Sequence, residues 1–215
     1  MGRLYYTQRR YTDAIPVLKE AVRLNPRPKI NKYPHQFLAE SYISLGQYED
    51  GIAVLNDLLR IGPNVDPSEE YNRLAFAYNQ IEKFQEAVDA AKESIKRHDD
   101  NSAPYNSLAF SYNQLGRYDE AVTAAKRAIV LRPNFGNPHS QIAYAYLKTG
   151  RAQEALAEAK QALQLAPNYA RGHFTLGLIY IALNDKPQAL ATQKTLQGLD
   201  AKLGQQLLSE IGRVN

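Results

Sequence analysis

Cysteine and tryptophan are absent from the 215-residue chain, and methionine occurs once. Without cysteine the chain has no disulfide, no thiolate zinc site, no iron–sulfur cluster and no cysteine nucleophile. This absence is compatible with a reducing or an oxidising compartment, so both the cytoplasm, which we favour, and the periplasm stay open. No apolar run approaches the roughly 20 residues of a membrane-spanning helix. The first residues carry arginines in place of the apolar segment of a signal peptide.

Charge is present but unevenly placed. The net charge is +4, yet residues 1–32 hold eight basic side chains against two acidic ones, and the remainder holds eighteen against twenty. A basic end can contact nucleic acid. The aromatic interleaving that is typical of single-strand binders is missing, however. We therefore interpret this end as a solvated face, with nucleic-acid binding as an alternative that the pattern does not favour.

An internal repeat runs along the whole chain. Residues 73–95 and 107–129 align without gaps at an offset of 34. An aromatic residue, a small residue nine positions later and a residue twelve positions after that, most often proline, recur in step with spacings of 37, 36, 34, 34 and 34. The aromatic series is Tyr5, Tyr42, Tyr78, Tyr112, Tyr146 and Tyr180. Self-similarity at such a period is the signature of a repeat architecture.

Each repeat is predicted to form two helices. In the repeat that starts at residue 102, apolar residues recur at helical spacing, and Gly116 is expected to end the first helix. The second helix carries a stripe of alanines, which allows two helices to approach closely. Pro133 then blocks further helix.

This helix–turn–helix of 34 residues resembles the tetratricopeptide repeat (TPR) family. The most complete copy carries the resemblance at Leu108, Ala109, Tyr112, Gly116, Ala121 and Pro133. The resemblance implies an all-α fold, a right-handed superhelical α-solenoid of antiparallel helix pairs with a C-terminal capping helix. The sequence departs from the family at Glu82 and Asn184, which replace the glycine between the helices, and at Ala201, which replaces the last proline. The pentatricopeptide family, which reads RNA bases, has a longer period and fits less well.

We predict a single solenoid over residues 1–215. Its parts are a partial repeat (1–31), five repeats (32–67, 68–101, 102–135, 136–169 and 170–199) and a capping helix (200–215). The partial repeat lacks its first half, so we favour a chain that continues a longer protein, in which case a targeting segment could precede it. Asp200 is the expected N-cap of the capping helix, after Gly198 has broken the last repeat.

The residues give no support for catalysis. Three of the four histidines, His35, His139 and His173, occupy one repeat position, where the family packs an aromatic residue between helices. His139 and His173 are a full repeat apart, too far to share a metal ion. No glycine-rich phosphate loop is present, and carboxylate pairs fall at helix starts or turns. We predict a non-catalytic protein without a metal ion or cofactor.

In this family the first helix of each repeat lines a concave groove, and the usual ligands are peptide segments. Asparagines and glutamines of two consecutive repeats form an expected amide track, since carboxamides both donate and accept hydrogen bonds. Phe76, Phe110 and Tyr144 form an aromatic row that offers contact area. The predicted peptide-binding residues are Asn72, Arg73, Phe76, Asn79, Gln80, Asn106, Phe110, Asn113, Gln114, Gln141, Tyr144 and Lys148.

The fifth repeat has an apolar inner face formed by Phe174, Leu178 and Ile181. Either the groove has a hydrophobic pocket there or the C-terminal helix folds back over it, and we expect the second. Neither the carboxylate clamp for acidic chaperone tails nor the asparagine ladder of sugar-transferring TPR enzymes is matched. The sequence thus predicts a protein-interaction scaffold that binds a peptide or helical segment of an unidentified partner. The alternatives are an accessory domain of a larger enzyme, such as a glycosyl- or sulfotransferase, and a self-assembling solenoid.

Overall fold

The computed structural model describes residues 1–25, 32–61 and 66–213, and every regular element in these ranges is an α-helix. The all-helical prediction is therefore confirmed. The thirteen helices of the described ranges are α1 Gly2–Thr7, α2 Tyr11–Leu24, α3 Tyr33–Ser44, α4 Tyr48–Ile61, α5 Ser68–Gln80, α6 Phe84–Arg97, α7 Ser102–Gln114, α8 Tyr118–Leu131, α9 Gly136–Lys148, α10 Ala152–Leu165, α11 Ala170–Ala182, α12 Lys186–Leu199 and α13 Ala201–Arg213.

The chain divides into two compact units, residues 1–99 and 100–215. The first unit contains α1–α6 and the second contains α7–α13. Within each unit, a first helix pairs with the second helix that follows it, and α1 with α3, α7 with α9 and α9 with α11 also pack against each other. The first helices α5, α7, α9 and α11 begin at the residues that open the predicted repeats.

The turn between the paired helices depends on one residue with positive φ. Gly116 has φ of 74°, and the next amide, of Arg117, donates to the Tyr112 carbonyl at 2.8 Å. This bond satisfies a carbonyl that the end of α7 leaves open, as in a Schellman motif. The prediction that Gly116 ends the helix is confirmed. Glu82 adopts the same left-handed conformation with φ of 61°, a conformation that costs more for a residue with a Cβ.

In several of these turns, an arginine contacts both of the helices that the turn connects. The Arg151 guanidinium lies 3.8 Å from the centre of the Tyr146 ring, and its Nε donates to Glu154 at 2.7 Å. Because Tyr146 is on the first helix and Glu154 on the second, the stacked arginine connects the pair. Two other turns repeat the arrangement, in the triplets Tyr5, Arg10, Asp13 and Tyr112, Arg117, Glu120.

The C-terminal helix covers the last repeat. Leu207 and Ile211 of α13 share a buried cluster with Ala189 and Leu196 of α12. The predicted N-cap is confirmed, since Asp200 Oδ1 accepts from the Leu203 amide at 3.0 Å. The expected break at Gly198 is wrong, because α12 continues to Leu199 and ends where Asp200 takes an extended conformation.

Candidate functional site

In the first unit, the predicted face lies on α5 and is centred on Phe76. This ring is 46% exposed, and it meets the Tyr48 ring edge-on, with centroids 6.4 Å apart. Asn72 and Gln80 lie partly exposed on the same helix, whereas Asn79 is buried. The face therefore presents one large apolar side chain between two amides.

Arg73 lies between two carboxylates on this face. Its Nε is 3.2 Å from Glu40 of α3, and its Nη1 is 3.2 Å from Glu69 of α5. Burial, together with the charge of Glu40 and a hydrogen bond to it, raises the pKa of Tyr6 to about 12. One network thus contains Tyr6, Glu40, Arg73 and Glu69. Within it, the charge of Arg73 is already balanced by carboxylates.

A buried carboxylate on α5 joins this helix to α3. Glu70 is 1% exposed, and its Oε1 lies 3.0 Å from Lys32 Nζ and accepts from the Gln36 side chain. A buried charge is tolerated when it is paired and hydrogen-bonded in this way. The contact of Glu70 with Lys32 joins residues 38 positions apart, and no motif in the sequence predicts it.

Stacked rings continue the face toward α1. Tyr6 stacks on Phe37 with ring centroids 4.7 Å apart, and Phe37 stacks on Tyr33 at 5.9 Å. The ring centroids of Tyr11 and Tyr6 are 5.8 Å apart. The stack comes from α1, α2 and α3, so its members are far from periodic in sequence.

In the second unit, the predicted residues lie on α7 and α9. Phe110 and Tyr144 are partly buried, and Gln114 and Lys148 are exposed. Asn106 is partly buried, and its Oδ1 is enclosed without a hydrogen-bond partner among the described residues.

The structure buries two members of the amide track, Asn79 and Asn113, and it also buries Gln141, another predicted binding residue. Asn113 Nδ2 donates to the Gln141 carbonyl at 2.9 Å and lies 3.2 Å from Gln141 Oε1. The Gln141 side chain also hydrogen-bonds the Tyr169 hydroxyl. Asn113, Gln141 and Tyr169 therefore form a hydrogen-bonded seam, with both amides buried and Tyr169 half-buried, that joins α7, α9 and the start of α11. The helical positions of these amides predict that they face a ligand, whereas Asn113 and Gln141 bond to each other between α7 and α9.

Two cations lie over the rings of Phe110 and Tyr144, the aromatic residues predicted for the binding face of the second unit. Arg171 of α11 is 4.8 Å from the centroid of Phe110, and Lys148 is 5.4 Å from that of Tyr144. Both cations are exposed, and neither forms an ion pair with a described residue. The repeat pattern predicts neither stacking contact.

The apolar inner face of α11 is covered by the cap. Phe174, Leu178 and Ile181 pack against the cluster that contains Leu207 and Ile211 of α13. This agrees with the expectation that the C-terminal helix folds back over the fifth repeat.

The three histidines of the shared repeat position serve packing and local bonds. His35 is 2% exposed, and neither ring nitrogen has a hydrogen-bond partner among the described residues. His139 Nδ1 lies 2.7 Å from Glu158, and His173 Nε2 lies 2.8 Å from the Pro167 carbonyl. Across the described ranges, no three potential metal ligands come together.

Comparison with known families identifies the repeat. A family model described as "Tetratricopeptide repeat" matches residues 5–75 and 146–211, and one described as "TPR repeat" matches residues 109–150. The chain belongs to the tetratricopeptide repeat family. A search of curated proteins found no match.

Solved structures share the fold. The APC/C hetero-tetramer Cut9–Hcn1 matches with a TM-score of 0.80 and 16% identity over 98% of this chain, which spans only 41% of that one. TTC0263, a thermophilic TPR protein of Thermus thermophilus, matches at 0.72 and 20% identity, covering 86% of this chain and 98% of its own. YrrB, described as a TPR protein with an unusual peptide-binding site, matches at 0.57 and 18% identity, covering 89% and 97%. The TM-scores show that these proteins share the fold of this chain.

The described residues contain no helix that is both long and apolar enough to cross a membrane. Tetratricopeptide repeats are typical of non-catalytic scaffolds, and proteins of this family bind protein or peptide partners.

Proposed function

We propose that the chain is a non-catalytic scaffold that binds a peptide segment of a partner protein along the exposed faces of its first helices. The observation that carries the proposal is the exposure of Phe76, a large ring with an edge contact to Tyr48 on the face that the family uses for ligands. Burying an aromatic side chain against a partner gains contact area at a low cost in side-chain entropy.

Within each unit taken by itself, amides beside a ring support an extended ligand. Asn72 and Gln80 flank Phe76 on α5, and Gln114 lies one turn beyond Phe110 on α7. Their side chains can donate to and accept from the peptide backbone, whatever residues that backbone carries. Asn113 and Gln141 take a supporting role in this proposal, because their hydrogen bond joins α7 to α9, and Asn79 is buried.

The ionisable groups on the faces also support a binding role over a chemical one. Arg73 is paired with Glu40 and Glu69, and Glu70 is paired with Lys32. Groups held in ion pairs already have a partner within the fold, whereas a general acid or base needs access to a substrate.

Two variants, each of which replaces an exposed apolar side chain by glutamate, test the proposal. Phe76→Glu places a charge on the proposed face, whereas Val130→Glu places one on α8, where the side chain is 68% exposed. Both should retain the wild-type circular dichroism. In affinity capture from a lysate of the source organism, we expect wild type and Val130→Glu to retain the same proteins and Phe76→Glu to lose them. Equal retention by all three, or no specific retention by wild type, would overturn the proposal.

A further inference from the structure

The first helices of the second unit contain no acidic residue. Neither aspartate nor glutamate occurs in α7, α9 or α11, whose only arginine and lysine are Arg171 and Lys148. The second helices beside them do carry carboxylates, such as Glu120 on α8 and Glu154 on α10. The face formed by α7, α9 and α11, which we call the second-unit face, therefore has positive charge that its own helices do not neutralise.

Arg171 is held where a ligand could meet it. Its guanidinium lies 4.8 Å from the Phe110 centroid, so a side chain of α11 reaches a ring on α7, two repeats earlier in the chain. An arginine stacked on a ring keeps its N–H groups in the plane of the guanidinium free to donate outward. Stacking also restricts the side chain before any ligand arrives, which reduces the entropy lost on binding.

Lys148 repeats the arrangement on α9. Its ammonium group is 5.4 Å from the Tyr144 centroid, one helical turn away, and the side chain is exposed. The second-unit face thus carries two ring–cation pairs, each with an apolar surface beside a positive charge. The complementary ligand has carboxylates next to apolar side chains.

We propose that the second-unit face selects acidic peptide segments, whose carboxylates pair with Arg171 and Lys148 while neighbouring apolar side chains pack on Phe110 and Tyr144. The proposal rests on the proposed function and adds a charge preference to it. Planar guanidinium–carboxylate pairing supplies geometric specificity at Arg171, and Lys148 acts as a point charge.

A nucleic acid is also anionic and stacks on rings, but the number of cations favours a peptide. Binding to a phosphate backbone is supplied by many Lys and Arg contacts, commonly about six to ten. The three first helices of the second unit offer two. An acidic peptide with two or three carboxylates matches this number.

The test uses the full-length chain on an array of random dodecapeptides, followed by fluorescence anisotropy with selected labelled peptides. One variant carries Lys148→Glu and Arg171→Glu. The matched control carries Lys126→Glu and Lys160→Glu, which change the net charge equally at exposed positions of the second helices α8 and α10. Equal circular dichroism and equal urea midpoints would show that both variants fold.

We expect wild type and control to select peptides rich in Asp and Glu. The Lys148/Arg171 variant should bind the same peptides at least about tenfold more weakly, because close charge pairs at interfaces contribute on this scale. Selection without an acidic preference, or equal binding by the two variants, would overturn this inference and leave the proposed function intact. Binding to no peptide at all would overturn both. Displacement of the acidic peptides by a dodecamer of deoxythymidylate at equal concentration would assign the face to nucleic acid and overturn the peptide proposal.

Discussion

Replacing His35 by phenylalanine should stabilise the protein, and more so as the pH falls. His35 is 2% exposed, and its two ring nitrogens have no hydrogen-bond partner among the described residues. Burial lowers the pKa of His35 below its usual range, and the Asp57 carboxylate opposes this shift only in part. An unsatisfied buried polar group costs about 1–3 kcal/mol, and fitting the larger phenylalanine ring costs part of that gain. We expect a net increase of about 1 kcal/mol in the free energy of unfolding at pH 7.5.

The pH dependence follows from proton binding to the unfolded chain. Below about pH 6.5 the unfolded histidine binds a proton that the folded ring, with its lowered pKa, does not bind. Wild type therefore loses stability as the pH falls from about 6.5 toward the folded-state pKa, and the variant is free of this loss. Between pH 7.5 and pH 5.5 a single such histidine contributes at most about 1.4 kcal/mol, so the advantage of the variant should grow toward that limit.

Urea unfolding of wild type and His35→Phe at pH 7.5, 6.5 and 5.5 measures this difference. His173→Phe is the matched control, since His173 has the same repeat position but is less buried and bonds to the Pro167 carbonyl. A difference between wild type and His35→Phe that stays constant or shrinks toward pH 5.5 would refute the reasoning. It would mean that the folded protein accommodates the charged ring.

Three further predictions concern contacts between helices. Glu70→Ala should lower the free energy of unfolding by about 3–5 kcal/mol in urea titrations, because it removes one partner of a buried ion pair, and Glu70→Gln should cost less. Gly177→Ala should lower it by about 1–3 kcal/mol, because the new Cβ would lie 2.3 Å from Leu207 Cδ2. In a double-mutant cycle, Leu207→Ala should remove most of that extra cost, and strict additivity would contradict the docking of α13. Asn113→Ala should cost about 1 kcal/mol by the same assay, since it removes the bond to the Gln141 carbonyl but also an unsatisfied Oδ1.

The helices and turns could be predicted because their causes are local. Gly116 takes a positive φ, and Asp200 caps the helix that follows it. A departure from the family was informative as well, since Glu82, which replaces a glycine, keeps the left-handed turn. The end of α12 was misjudged because a glycine near a helix end is tolerated inside the helix when the next residues supply the break.

The exposure of the site residues could not be predicted from the period alone. Asn113 and Gln114 are neighbours on α7, yet the first is buried and the second exposed, because only the first meets Gln141 of α9. Similarly, the contact between Arg171 and Phe110 joins residues 61 positions apart, and no periodic pattern announces it. One signal for the charge of this face is present in the sequence, namely the lack of acidic residues in three successive first helices.

The hydrogen-bonded seam and the exposed cations of the second unit are physically linked. Tyr169, which hydrogen-bonds Gln141, is the N-cap of α11, and Arg171 is the second residue of that helix. The seam therefore fixes the end of α11 from which Arg171 extends toward Phe110. Because Asn113 and Gln141 are buried, the binding face has fewer exposed amides than the sequence predicts. In return, their hydrogen bonds help to fix the position of Arg171, which has no carboxylate partner among the described residues. If the face binds acidic peptides as proposed, two cations are enough for selectivity, because the ligand must place its carboxylates at Arg171 and Lys148.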